Sequence, residues 1–430
     1  MNNLLNTLQP IERLGEIEQS IGLKLVANGP PQSFIGELCD ILDAQGRVLT
    51  QAEVVGFERG RVFLMPFSKA SVSMGLTVRA TGMGVSIAVG PALLGRIINA
   101  LGQPLDEDGQ LWSTQYMPLH PPAINPLKRK PITARLTTGI HAIDTLLPLG
   151  KGQRMGLFAG SGVGKSVLLG MMAKHMNSDI NVIALIGERG REVNEFILNH
   201  MDAATRAKSV IIVSCSDDFA LMRKQAVYTA TAIAEYFCQQ GHDVMLFMDS
   251  ITRFAMAQRE IGLSLGEPPT ARGYTPSVFS TLPSLVERAG LFHGEGSITA
   301  LYTVLVEGDD FNEPIADCLR SLLDGHIVLT RELAQRGHYP AIDVLQSLSR
   351  LTQSLTTQTE QTIIRDVIAL LSVYQQNKEL IELGAYQPGH HAALDAAVVR
   401  IDNMMHLLAQ GLEQPLQTVA LFQRLKEILQ

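Results

Sequence analysis

A lysine and a serine close the stretch Ala159-Gly-Ser-Gly-Val-Gly-Lys-Ser166, and their order points to phosphate chemistry. Glycines let successive backbone N–H groups turn inward, and a helix N-terminus adds partial positive charge; together they cradle phosphates. Lys165 would reach the β- and γ-phosphates, and the Ser166 hydroxyl would bind Mg²⁺. Ser161, Gly162, Val163, Gly164 and Val167 complete the expected cradle. Ala159 stands where the usual pattern has glycine. Such a loop needs a strand before it and a helix after it. Arg154-Met-Gly-Leu-Phe158 reads as a buried strand, and Val167-Leu-Leu-Gly-Met-Met-Ala-Lys174 as a helix. In that setting a chance Lys-Ser in a glycine turn carries little weight. The residues imply a nucleoside triphosphate.

Two acidic positions fit around such a ligand. Asp249 ends the apolar run Val244-Met-Leu-Phe-Met248, and a carboxylate at a buried strand's C-terminal end can hold Mg²⁺ directly or through water. An aspartate capping the next helix is the bland alternative, which the upstream loop outweighs. Gly187-Glu-Arg-Gly-Arg-Glu192 follows another apolar run, Val182-Ile-Ala-Leu-Ile186. Glu188 can polarise the attacking water, Arg189 can offset phosphate charge, and Glu192 is a candidate for the Mg²⁺ hydration shell. A solvated charge cluster is the competing reading. Charge developing on the transferred phosphoryl group calls for a further cation, and Arg253 and Arg350 are both candidates. Composition does not choose between them.

The elements that must position these residues form an α/β protein. Ser209-Val-Ile-Ile-Val213 and Ser297-Ile-Thr-Ala-Leu-Tyr-Thr-Val-Leu305 read as further buried strands, with helical patterns such as residues 222–240 between them. This is a mainly parallel sheet with helices on both faces, spanning residues 91–351. Its first part, Leu94 to Leu105 and the proline-rich residues 117–126, reads as connection. Residues 22–90 carry short, glycine-punctuated strand patterns that suggest a small N-terminal β-barrel. Residues 352–430 lose the β-signals and read as a C-terminal α-helical domain. In residues 1–21, Leu4, Leu8, Ile11, Leu14, Ile17 and Ile21 recur at helix-like spacing, interrupted by Pro10. That segment is either a helix on its own domain or an amphipathic docking segment.

Composition bounds the function. A chain of 430 residues supports two or three domains, and 46% hydrophobic with 18% charged residues describes a soluble globular protein. The net charge of -7 and the aromatic-poor barrel argue against nucleic acid as a partner. The four cysteines show no metal spacing and read as buried thiols of a reducing cytoplasm. No run is long enough to span a membrane, and no secretory signal is visible.

Pro340-Ala-Ile-Asp-Val-Leu-Gln-Ser-Leu-Ser349 then matches the signature of the rotary-ATPase α/β family. With Gly-Glu-Arg-Gly-Arg-Glu at 187–192 and Asp249-Ser-Ile-Thr-Arg253, nearly the whole chain resembles the type III protein-export ATPases. Asn125-Pro-Leu-Lys-Arg129 and Gly384-Ala-Tyr-Gln-Pro-Gly389 look more like the flagellar branch than the virulence injectisome branch. The resemblance implies a RecA-like P-loop core, ATP with Mg²⁺, and a homohexamer with sites between subunits. It makes Glu188 the catalytic glutamate, Arg350 an arginine finger given to the neighbouring subunit, and Tyr339 the aromatic that stacks on adenine. Residues 262–276 would face the central pore. The resemblance favours docking for the N-terminal segment, on a stator-like regulator. It brings the C-terminal domain to a coiled-coil central stalk and to chaperone–substrate complexes at an export gate. It implies a cytoplasmic enzyme, peripheral at the inner face of the cytoplasmic membrane through its partners. The competing readings are a catalytic subunit of an ion-translocating rotary ATPase, an RNA translocase, or a scaffold with little turnover.

Overall fold

The computed structural model describes residues 12–68, 72–294, 296–306, 308, 310–412 and 415–430. Six strands come first: β1 (Leu14–Ile21), β2 (Lys24–Asn28), β3 (Glu37–Leu42), β4 (Val48–Glu58), β5 (Arg61–Pro66) and β6 (Thr77–Gly84). They close into an antiparallel barrel in the order β1-β2-β5-β4-β3-β6. Alternate residues point inward, as the strand period demands, so Leu25 with Ala27, Cys39 with Ile41 and Val62 with Leu64 fill the interior. Closure leaves no strand edge unpaired.

The barrel corrects the expectation for the N-terminus. Leu14–Ile21 is a strand, not part of a helix, so the barrel begins well before residue 22. Only Ile17 of the presumed apolar face is buried there, and a register shift between Ile17 and Gln19 breaks the strand's period of two. The rest of the expected docking segment, residues 1–11, lies outside the described residues. At the other end the barrel stops at Gly84, and Ser86–Val89 pairs instead with Gln115–Pro118 in a separate ribbon.

The central sheet is built from β7 (Ile97–Asn99), β8 (Arg154–Ala159), β9 (Ile180–Glu188), β10 (Ser209–Cys215), β11 (Asp243–Asp249), β12 (Ser297–Leu305), β13 (Gly325–Leu329) and β14 (Ile342–Ser349). Their order is β14-β13-β8-β12-β11-β9-β10-β7, parallel along this path except for the edge strand β14, and a two-residue strand off the path, Gly290–Leu291, pairs antiparallel with β12. The stretch expected only to connect domains thus supplies the opposite edge, β7. Three residues amid glycines give no periodicity to read.

Strands covered on both faces read as nearly continuous apolar runs, and β9 is buried from Ile180 to Gly187, its one polar residue there, Asn181, donating to the Ala173 carbonyl. Val182, Ala184 and Ile186 face helices Ala220–Gln239 and Ile251–Ser264. Ile183 and Leu185 point to the other face, into a cluster that also holds residues of Lys165–His175 and Gly190–His200. The C-terminal helices, chiefly Gln358–Gln376, Ala392–Leu408 and Thr418–Leu429, bury Val367, Met404 and Leu425 in that same cluster. The C-terminal region therefore shares its core with the sheet.

Candidate active site

Parallel strands end on one edge, so residues that follow β8, β9 and β11 converge there although they lie far apart in sequence. From β8 the chain enters the loop 160–164 and then the helix Lys165–His175. Gly162 (φ 78°) and Gly164 (φ 90°) take left-handed conformations, which glycine adopts without steric cost. Glu188 ends β9 and Asp249 ends β11. Lys165 reaches both carboxylates: its Nζ lies 3.1 Å from Glu188 Oε1 and 2.5 Å from Asp249 Oδ1. A cleft of about 710 Å³ opens over them, lined by Ser161, Gly162, Gly164, Lys165, Ser166, Val167, Glu188, Arg189, Glu192, Asp249 and Arg253.

The charges are tuned by burial and by each other. Burial alone would lower the Lys165 ammonium, but Asp249 and Glu188 outweigh it and hold its pKa above the ordinary lysine value. Burial raises the Glu188 carboxyl above its usual range; Asp249 and a hydrogen bond to Glu192 add to the rise, and Lys165 opposes it. Glu192 moves the other way, lowered chiefly by that bond from Glu188.

Arg253 supplies a test of the expected ligand. Its side-chain stem packs beneath Gly187; among the described residues its Nη1 meets the Met256 sulfur at 3.7 Å, and its Nε is buried with no hydrogen-bond partner. A buried guanidinium nitrogen left unpaired in a cleft calls for an anion. Inward-turned loop amides, a charged lysine and this arginine together suit a polyphosphate. Ser166 and Asp249 add the hard oxygen donors that suit Mg²⁺.

Four candidates stand apart from this cluster. The Val163 side chain is 1% exposed and belongs to the core beneath the loop, so only its backbone is available to a ligand. Arg189 lines the cleft, but its side chain is 81% exposed and lies 4.0 Å from Glu192, turned to solvent. Tyr339 packs against the outside of the loop, where its ring would meet a Cβ on Gly164 at 3.4 Å; it is 45% exposed. Arg350 is absent from the cleft of its own chain. It follows β14 and donates Nη2 to the Arg320 carbonyl at 3.1 Å. Sequence reasoning passed over Ser216, which lines the cleft after β10, and Thr303, whose hydroxyl donates to Asp249 Oδ1 at 2.6 Å. A threonine inside a run of buried apolar residues was the only signal for the second.

Known proteins resemble this chain over most of its length. Residues 139–349 match the nucleotide-binding domain of the ATP synthase alpha/beta family, and residues 356–427 match the C-terminal domain of the type III secretion ATPase EscN. The chain is 49% identical to a flagellum-specific ATP synthase of Bacillus subtilis over 410 residues, covering 94% of this chain and 92% of that protein. It is 45% identical to a type 3 secretion system ATPase of Xanthomonas euvesicatoria, covering 95% and 92%. The assembled ATPase EscN from enteropathogenic E. coli superposes with a TM-score of 0.91 at 42% identity, covering 97% of this chain and 100% of that one. With the phosphate loop, the two strand-end carboxylates and the C-terminal helices all accounted for, the chain belongs to the family of flagellar and type III secretion export ATPases and is an ATP-hydrolysing enzyme.

Proposed function

We propose that this chain hydrolyses MgATP in a ring of identical subunits and that turnover serves the release of export substrates from their chaperones at a secretion gate. The observation that carries the reading is Lys165 bridging Glu188 and Asp249 at the floor of the cleft. Phosphates entering the loop offer Lys165 a stronger partner, and its departure leaves two carboxylates with separate work. Asp249 and Ser166 would hold Mg²⁺, Glu192 would serve its hydration shell, and the metal would supply charge neutralisation of the phosphate oxygens. Glu188, raised by burial, accepts the proton of the attacking water. Arg253 takes the phosphate its Nε lacks, Arg189 adds positive charge at the rim, and Tyr339 stacks on adenine from outside the loop.

Arg350 completes a neighbour's site. Its exposure at the end of the edge strand, away from its own cleft, supports that role. A solved relative, EscN, is described as assembled and in complex with its central stalk EscO. By that likeness this chain forms a homohexamer around a coiled-coil stalk. The N-terminal segment meets a stator-like regulator, and these partners hold a cytoplasmic ring at the inner membrane face. We assign it to flagellar-type export on residues 125–129 and 384–389; restoration of motility in a strain lacking the flagellar export ATPase tests that choice.

The deciding experiment measures ATP hydrolysis against protein concentration for wild type, Glu188→Gln and Arg350→Ala, with nucleotide binding in parallel. Wild-type specific activity should rise steeply with concentration. Both variants should bind nucleotide yet lose roughly 100-fold or more in turnover. An unaffected Arg350→Ala would return the site to a single protomer, and an active Glu188→Gln would remove the assigned base.

A further inference from the structure

We propose that Thr303 is a positioning residue that holds the Asp249 carboxylate in place when Lys165 leaves it, an inference that rests on the proposed Mg²⁺ role of Asp249. Thr303 lies in β12, between the phosphate-loop strand β8 and the Asp249 strand β11. Its side chain is fully buried. A hydroxyl carries one proton, and two acceptors are near: Asp249 Oδ1 at 2.6 Å and the Met248 carbonyl at 3.4 Å. The distances give the proton to the carboxylate. Thr303 could have been satisfied by the backbone of the adjacent strand, as buried threonines commonly are; here it is spent on a charged side chain instead.

The arrangement matters because Asp249 has two donors on one oxygen. Lys165 Nζ and Thr303 Oγ1 both converge on Oδ1. When phosphates draw Lys165 away, Asp249, only 3% exposed, loses its cation and retains the hydroxyl. A buried carboxylate stripped of partners would swing after the lysine or take up a proton. With Oδ1 tethered to β12, Oδ2 is left for the metal side of the cleft. A second hydroxyl reinforces the frame: Thr252, just past Asp249, accepts from the Leu305 N–H at the end of β12 at 2.9 Å. The ends of β11 and β12 are therefore cross-tied on both sides of the carboxylate.

The test is the affinity of full-length protein for a fluorescent ADP analogue, titrated with Mg²⁺ present and with EDTA. It compares wild type, Thr303→Val, Thr303→Ser and Asp249→Asn. Valine keeps the shape and removes the hydroxyl; serine keeps the hydroxyl. Thr303→Val should lose roughly tenfold of the gain in affinity that Mg²⁺ confers, the worth of one hydrogen bond to a charged group. Its affinity in EDTA should stay within about twofold of wild type, and Thr303→Ser should restore the Mg²⁺ gain. A Thr303→Val protein that matches wild type in both conditions overturns the proposal. Equal weakening in both conditions also overturns it, because that is a packing effect. If Asp249→Asn abolishes the Mg²⁺ gain while Thr303→Val keeps it, the inference about Thr303 alone fails. If Asp249→Asn keeps the gain, the underlying reading of Asp249 fails and takes this inference with it.

Discussion

Glu188 is a carboxyl whose surroundings make ionisation harder, and that has two measurable consequences. Its pKa lies above the ordinary glutamate value of 4.5, first through burial. A water-activating base must be ionised, so hydrolysis should decline as pH falls, with an acid limb above 4.5 in the pH profile of turnover. The folded protein also binds this proton more readily than the unfolded chain does. Stability contributed at this position is therefore present at low pH and is lost as pH rises through the raised folded value. Glu188→Gln cannot ionise, so its thermal midpoint at neutral pH should equal or exceed that of wild type while its turnover collapses. A lower midpoint would show that the Lys165 contact outweighs the cost of burial. Glu188 and Asp249 were legible because each ends an apolar run, which is where strand ends meet ligands. The partner of one of them was not. Thr303 sits in a run correctly read as a buried strand, but only the strand order puts β12 beside β11.

At the scale of elements, the helix Lys165–His175 packs so closely on Gly190–His200 that a Cβ at Gly170 would stand 2.5 Å from the Cβ of His200. That atom belongs to the stem of a side chain, not its flexible end, so the helices must part. Gly170→Ala should destabilise by about 1–2 kcal/mol, the overpacking cost less the gain in helix propensity. It should also weaken nucleotide binding, since one helix carries Lys165 and Ser166 and the other begins beside Glu188 and Glu192. Thermal denaturation and nucleotide titration check both. Strand, loop and helix around Lys165 could be read from sequence because local pattern and glycine placement agree there. Leu14–Ile21 could not: Leu14, Ile17 and Ile21 recur every three or four residues, which fits a helical face. The strand they actually form buries only Ile17 among them and carries a bulge, so its period of two is hidden. Pairing with β2 and β6 across the barrel decides the matter, and that is tertiary information.

Across the whole molecule, the joint between barrel and core depends on buried polar groups. Gln225 on the helix Ala220–Gln239 donates to Glu53 of the barrel. On the same helix Glu235 binds Arg288 through two bonds of 2.7 Å, and Arg288 also donates to the Leu119 carbonyl, on the chain between the barrel and the core, at 2.7 Å. Arg288→Ala would strand a buried carboxylate and should cost about 3–5 kcal/mol in chemical denaturation. Arg288→Met with Glu235→Leu, which removes both charges, should recover most of that loss. The edge strand β14 has a larger reach. Tyr339 precedes it and packs on the phosphate loop of its own chain, while Arg350 follows it at the exposed far end, where the proposed function has it serve the next subunit. Eight residues of extended chain make a rod of about 26 Å. In the proposed ring, one end of the rod would touch the subunit's own nucleotide and the other its neighbour's, so a tilt of this single rod would pass the state of one site directly to the next.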